Sequence, residues 1–149
     1  MEVLDATWSE FDLTAAVWTI PGSRTKARKE HRVPLSHNAL EVLAKLREAA
    51  TGDRLACDGG AMTFFRLLRR MGRGDVTAHG FRSAFRDWAG DCTTYAREIV
   101  EQALAHSVGN STEQAYRRSD ALETRRRLMQ DWADFCHGRE KIVQLRAVS

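Results

Sequence analysis

The chain has 149 residues, 43% of them hydrophobic and 29% charged, with a formal net charge of +3. This suits one compact domain that buries a sizeable core without staples. Three scattered cysteines, Cys57, Cys92 and Cys136, show no Cys-x-x-Cys pair and no histidine at ligand spacing, against a disulfide framework or structural zinc. No apolar run reaches bilayer length and no signal-peptide pattern opens the chain, so a cytoplasmic protein without membrane contact is expected.

The opening MEVLDATWSEFDL enters apolar periodicity at once, with Val3, Leu4 and Trp8, and reads like an element cut open. Two runs of strand character follow, AAVWTIP (15–21) and HRVPLS (31–36), joined by the basic segment GSRTKARKE. Their β-branched and aromatic content predicts an antiparallel hairpin, with WSEFDL as a third strand. Pro34 belongs at an edge or a strand end, because it has no N–H to give to a ladder.

After Ser36 the period becomes helical. Leu40, Leu43, Ala44 and Leu46 form one stripe, with Ser36 or Asn38 as the cap. A turn-rich patch, ATGDRLACDGG, precedes a second helix, AMTFFRLLRRMG, with Phe64, Leu67, Leu68 and Met71 at helical spacing and Gly72 and Gly74 ending it. Next come TAHGFRSAFRDWAG (77–90) and YAREIVEQALAH (95–106). After a break at SVGNS, a long helix is expected from about Thr112 to Cys136, with Ser111 and Gln114 at capping-box spacing. Its predicted buried stripe is Leu122, Met129, Trp132, Ala133 and Cys136. The fold class is therefore α+β: mainly helical (37–136), with a small N-terminal antiparallel sheet of about three strands (1–36) and a short tail (137–149).

The basic residues cluster. Arg24, Lys26, Arg28, Lys29 and Arg32 face one acid, Glu30, while Arg117, Arg118, Arg125, Arg126 and Arg127 face Asp120 and Glu123. Such patches suit an anionic partner, nucleic acid first, or else a solvated helix face. On the helix at 79–90, Phe81, Ala84, Phe85 and Trp88 form a packing face. His79, Arg82 and Arg86 follow at three- and four-residue steps on another face that is free to bind. His79 in the first turn sits where unpaired N–H groups and the helix dipole favour an anion.

A lone His-x-x-Arg is commonplace. Its company is not: HGFR at 79–82, LAH at 104–106 and Tyr116, in this order and at these separations, resemble the catalytic box of the tyrosine recombinases, prophage-type integrases above all. The resemblance covers almost the whole chain. WSEFDL resembles the family's first catalytic strand and TKARKEHRVPLS its basic hairpin. Lys26, with Lys29 as its rival, resembles the hairpin lysine that serves as general acid. Glu2 resembles the acid of the family's Arg-x-x-Glu motif, whose arginine would stand before Met1. The expectation is thus a single catalytic domain over 1–149, truncated at its N-terminus and weakly active or inactive alone.

The resemblance implies the chemistry. Tyr116 attacks a phosphodiester and forms a 3′-phosphotyrosyl link, and His79 acts as base toward a phenol whose usual pKa is near 10. Arg82 and His106 hold the non-bridging oxygens while Lys26 protonates the 5′ leaving oxygen. Neither ATP, metal nor other cofactor is demanded. Arg24, Arg28, Lys29, Arg86, Arg117 and Arg118 are the expected contacts to double-stranded DNA. The implied whole protein recombines attachment sites as a homotetramer. Two rivals share the residues: a non-catalytic DNA-binding remnant, and a type IB topoisomerase.

Overall fold

The computed structural model describes residues 3–55, 61–106 and 121–139. The architecture is α+β. An antiparallel sheet in the order β1-β2-β3 comprises β1 (Phe11–Asp12), β2 (Val17–Ile20) and β3 (His31–Pro34). Among the described residues it is followed by five α-helices: α1 (His37–Glu48), α2 (Ala61–Arg70), α3 (Ala78–Cys92), α4 (Arg97–Ala103) and α5 (Leu122–Cys136).

The β2–β3 hairpin matches its sequence pattern, with Ile20 opposite His31 and Val17 opposite Pro34. Pro34 takes part on an edge strand, where a missing N–H breaks no interior ladder. WSEFDL is only partly a strand. Trp8–Glu10 forms a 3-10 turn, and β1 is confined to Phe11–Asp12. The turn suits a bonded polar cluster: Glu10 accepts a hydrogen bond from Trp18 Nε1 at 2.9 Å and pairs with Arg24. Ala6, Trp18 and Ile20 form the core beneath this sheet, with Phe11, Val33, Leu35 and Leu55 packed against it.

Ser36 caps α1, its hydroxyl accepting from Ala39 N at 3.3 Å. Of the stripe predicted there, Leu43 is buried while Ala44 and Leu46 are exposed. In α2 likewise Leu68 is buried, whereas Leu67 and Met71 are exposed. Gly72, at φ 72°, stops α2. The Gly72 N–H reaches back to Arg69 O and the Arg73 N–H to Leu68 O, a Schellman-type closure that needs a left-handed residue between them.

The helical core joins α3, α4 and α5 through Phe85, Trp88, Ala89, Val100, Leu104 and Leu128. Leu128 is fully buried, and burial of a leucine of this kind contributes about 1.5–3 kcal/mol. The α3 packing face is rotated from the predicted one. Phe85 and Trp88 are inside with Ala89, but Phe81 and Ala84 are exposed. The last helix is also shorter than its periodicity suggests, because Ala121 has φ 51° and a left-handed residue cannot continue an α-helix. The capping pair Ser111 and Gln114 lies outside the described residues. Along α5 the buried side chains are Arg125, Leu128 and Ala133, with Met129 and Trp132 packed against the core and Cys136 exposed.

Candidate active site

Thr77 begins α3 by accepting a hydrogen bond from Gly80 N at 3.0 Å. His79 falls in that first turn, exposed, its imidazole without a hydrogen-bond partner among the described residues. One turn on, Arg82 points at the end of α4. Its guanidinium donates to Leu104 O, and Nη2 lies 3.1 Å from His106 Nε2. The HGFR and LAH segments, 24 residues apart between Arg82 and His106, thus meet in space.

The chain at the end of α4 explains why His106 is there. Ala105 adopts φ 56° and its N–H bonds Gln102 O, while the His106 N–H returns to Glu101 O at 2.9 Å. This is again a Schellman-type reversal, with alanine where glycine is the usual solution. It folds His106 back over its own helix, so that Nδ1 sits 2.6 Å from Glu101 Oε2. Arg82 meanwhile meets the carbonyl-rich, negative end of α4, a favourable place for a cation.

Glu101, only 10% exposed at its side chain, is the hub that the motifs did not pick out. Besides His106 it holds Arg86 Nη2 at 3.0 Å and Arg97 Nε at 4.0 Å. The hydrogen bond from His106, aided by the Arg86 and Arg97 charges, holds its carboxyl below the usual carboxylate range against the opposing effect of burial. Arg86, expected as a DNA contact, therefore has an intramolecular partner, although half its side chain is exposed. The sequence signal for Glu101 was an acid set among the core positions Val100 and Leu104, four residues after Arg97 and five before His106.

Lys26 sits in the loop between β2 and β3, exposed, with no hydrogen-bond or ion-pair partner for its ammonium among the described residues. The loop itself is folded. Residues Gly22–Arg24 make a 3-10 turn, and Thr25 Oγ1 donates to Lys29 O at 2.7 Å. A Cβ on Gly22 would stand 2.8 Å from the Arg28 carbonyl oxygen, so glycine is needed for the close approach. Arg28 and Lys29 are exposed beside Lys26; Arg24 turns back to Glu10 and is only 21% exposed.

Two arginines of the second basic cluster, Arg125 and Arg126, are spent inside the molecule, while Arg127 is exposed. Arg125 is buried and donates to Arg32 O at 2.7 Å, and Arg126 donates to Ala15 O and Ala16 O at 3.2 Å. These side chains satisfy carbonyls of the sheet region rather than forming a solvated anion-binding face; hydropathy hides this, since charge alone does not tell an outward arginine from a stapling one. Of the other selected residues, Glu2, Tyr116, Arg117 and Arg118 lie outside the described residues, as does the tail beyond Arg139. The chain has two tyrosines, and Tyr95 is committed elsewhere. Its hydroxyl donates to Asp131 Oδ2 at 2.6 Å, and burial, then Asp131, push its pKa up to about 12.

The chain is 36% identical to the prophage integrase IntA of Escherichia coli K12, across 89% of this chain and 34% of that protein. It is 31% identical to the integrase of Enterobacteria phage P4, across 97% of this chain and 38% of the relative. A third relative, named putative protein IntB in Escherichia coli K12, is 32% identical across 95% of this chain and 42% of its own length. The chain therefore spans between about a third and two fifths of the length of these curated relatives. No family model matches it, and no solved structure matches it.

Proposed function

The chain belongs to the phage integrase family, and on that premise we propose that it is the DNA-cleaving domain, over residues 1–149, of a tyrosine-type site-specific recombinase. The observation that carries the reading is the contact between Arg82 Nη2 and His106 Nε2. Two residues selected from separate motifs converge, with a guanidinium and an imidazole presented together. Such a pair suits the non-bridging oxygens of a phosphodiester, where preorganised donors stabilise charge that builds in the transition state.

Cleavage proceeds by in-line displacement. The Tyr116 phenolic oxygen attacks phosphorus and passes its proton to His79; the bond from phosphorus to the 5′ oxygen breaks, and Lys26 protonates the departing oxygen. The products are a 3′-phosphotyrosyl ester and a free 5′-hydroxyl. Attack by the 5′-hydroxyl of another strand reverses each step and frees Tyr116, so every phosphodiester broken is replaced and no ATP is consumed. The commitment of Tyr95 to Asp131 supports Tyr116 as the nucleophile, since a phenol with a raised pKa and a carboxylate partner is hard to ionise.

Binding draws on the exposed hairpin residues Lys26, Arg28 and Lys29, with Arg117 and Arg118 beside the nucleophile. In the whole protein the substrate is double-stranded DNA at attachment sites in the cytoplasm, engaged by a homotetramer, with no cofactor. A nicked duplex whose 5′ product diffuses away traps the covalent intermediate on a denaturing gel. In the whole protein the reading requires a 3′ adduct that Tyr116→Phe removes; an adduct surviving in Tyr116→Phe overturns the nucleophile assignment.

A further inference from the structure

The Arg82, His106 and Glu101 contacts fix where the protons sit. Arginine is donor-only, so His106 Nε2 facing Arg82 Nη2 at 3.1 Å must present its lone pair. The other ring nitrogen, Nδ1, lies 2.6 Å from Glu101 Oε2, and an ionised carboxylate only accepts. Nδ1 therefore carries the hydrogen and the imidazole is neutral. A phosphate oxygen, unlike Arg82, has no hydrogen to give. When it takes the place beside Nε2, that nitrogen is useful only as a donor, and with Nδ1 already protonated it becomes one only by gaining a second proton.

We propose that Glu101 is a positioning residue for His106: it holds Nδ1–H so that Nε2 faces the phosphate site, and it is the counter-charge for a proton that Nε2 takes up when a DNA phosphate binds. This rests on the DNA-cleavage reading of the same site. The charged groups in contact with the ring are Arg82 from α3 and Glu101 from α4, and Glu101 is in turn approached by Arg86 from α3 and Arg97 from α4. Glu101 is the carboxylate in contact with the ring among the described residues. Arg86 and Arg97 approach its other oxygen, Oε1, as ion-pair contacts at 3.0 and 4.0 Å, and Oε2 is the oxygen that meets His106. Binding is in this way coupled to the uptake of a proton, and it weakens as pH rises.

The arrangement is tested first without DNA. In the unbound chain at mildly alkaline pH, nitrogen-15 NMR of the imidazoles, assigned with His106→Gln, reads a protonated Nδ1 and a bare Nε2 at His106. A proton on Nε2 instead overturns the proposal, whatever the chain does to DNA. Calorimetric titration with a short duplex near pH 7.5, in two buffers of different ionisation heat, then counts protons taken up. The unaltered chain takes up more than Glu101→Gln, by about one proton per site at most. Glutamine retains a carbonyl for Nδ1–H but no charge, so equal uptake by the two proteins overturns the counter-charge role. Failure of the unaltered chain to bind the duplex overturns the DNA reading and the coupling with it, while the tautomer is still read from the free chain.

Discussion

The Tyr95 hydroxyl donates to Asp131 Oδ2 across 2.6 Å and so ties the connection between α3 and α4 to α5. With that hydrogen bond removed, Tyr95→Phe is expected to lose about 0.5–1.5 kcal/mol of stability in urea unfolding. It should keep the covalent DNA adduct, and Tyr116→Phe should lose it. Loss of the adduct from both variants at equal folded fraction would show that Tyr95 serves the chemistry.

The same bond predicts an alkaline limb of stability. Tyr95 has its pKa raised from 10.0 to about 12, chiefly by burial and then by Asp131. The unfolded chain therefore releases this proton first. The contribution is full below about pH 10 and is lost as pH rises toward about 12. Urea midpoints across that range should fall less steeply for Tyr95→Phe than for the unaltered chain.

Glu101 gives the opposite limb. Its folded pKa lies below the ordinary 4.5, first because His106 donates to it, so its contribution is present above about pH 4.5 and is lost as pH falls through the folded value. Glu101→Gln should flatten the acid side of the stability profile. An unchanged acid limb, measured by urea midpoints between neutral pH and about pH 3, would contradict the contacts described.

Gly22→Ala tests the fold of the lysine loop. The added Cβ meets the Arg28 carbonyl oxygen at 2.8 Å, a backbone atom that yields only by moving the loop. Overpacking of this kind costs about 1–3 kcal/mol. Gly90→Ala is the control, for nothing lies within 4 Å of its Cβ position in α3. There the helix should gain about 0.5–1 kcal/mol. Urea unfolding reads both, and adduct yield should fall in Gly22→Ala alone because Lys26 rides on the displaced loop.

Arg125→Met removes a buried donor from Arg32 O while keeping much of the side-chain volume. A hydrogen bond from a charged group contributes about 1.5–3 kcal/mol, and the stranded carbonyl adds a desolvation cost, so a loss at the upper end of this range is expected in denaturant unfolding.

The hairpin, the edge proline, the Ser36 cap and the Gly72 stop were legible because each rests on one residue's local stereochemistry. Faces were harder to read. Phe81 and Ala84 have the right spacing for a core, but contact with α4 and α5 turns Phe85, Trp88 and Ala89 inward instead. The Ala121 break had no glycine to announce it, and the staples Arg125 and Arg126 look like any solvated arginines until the sheet carbonyls they serve are in place. In the candidate site Arg82 and His106 were found through a motif. Glu101 was missed because its meaning depends on a chain reversal at Ala105 that periodicity does not encode.

One helix belongs to both halves of the molecule. Leu128 of α5 lies in the helical core, while Arg125, Arg126 and Gln130 of the same helix reach Arg32, the Ala15–Ala16 turn and the N-terminus of α1. The sheet cannot open without stripping partners from α5, and α5 cannot leave without emptying the other core. The lysine hairpin and the Arg82–His106 corner therefore share one opening event. Their slowest-exchanging amides should lose protection at a common denaturant concentration, as a single cooperative unit rather than as two independent foldons.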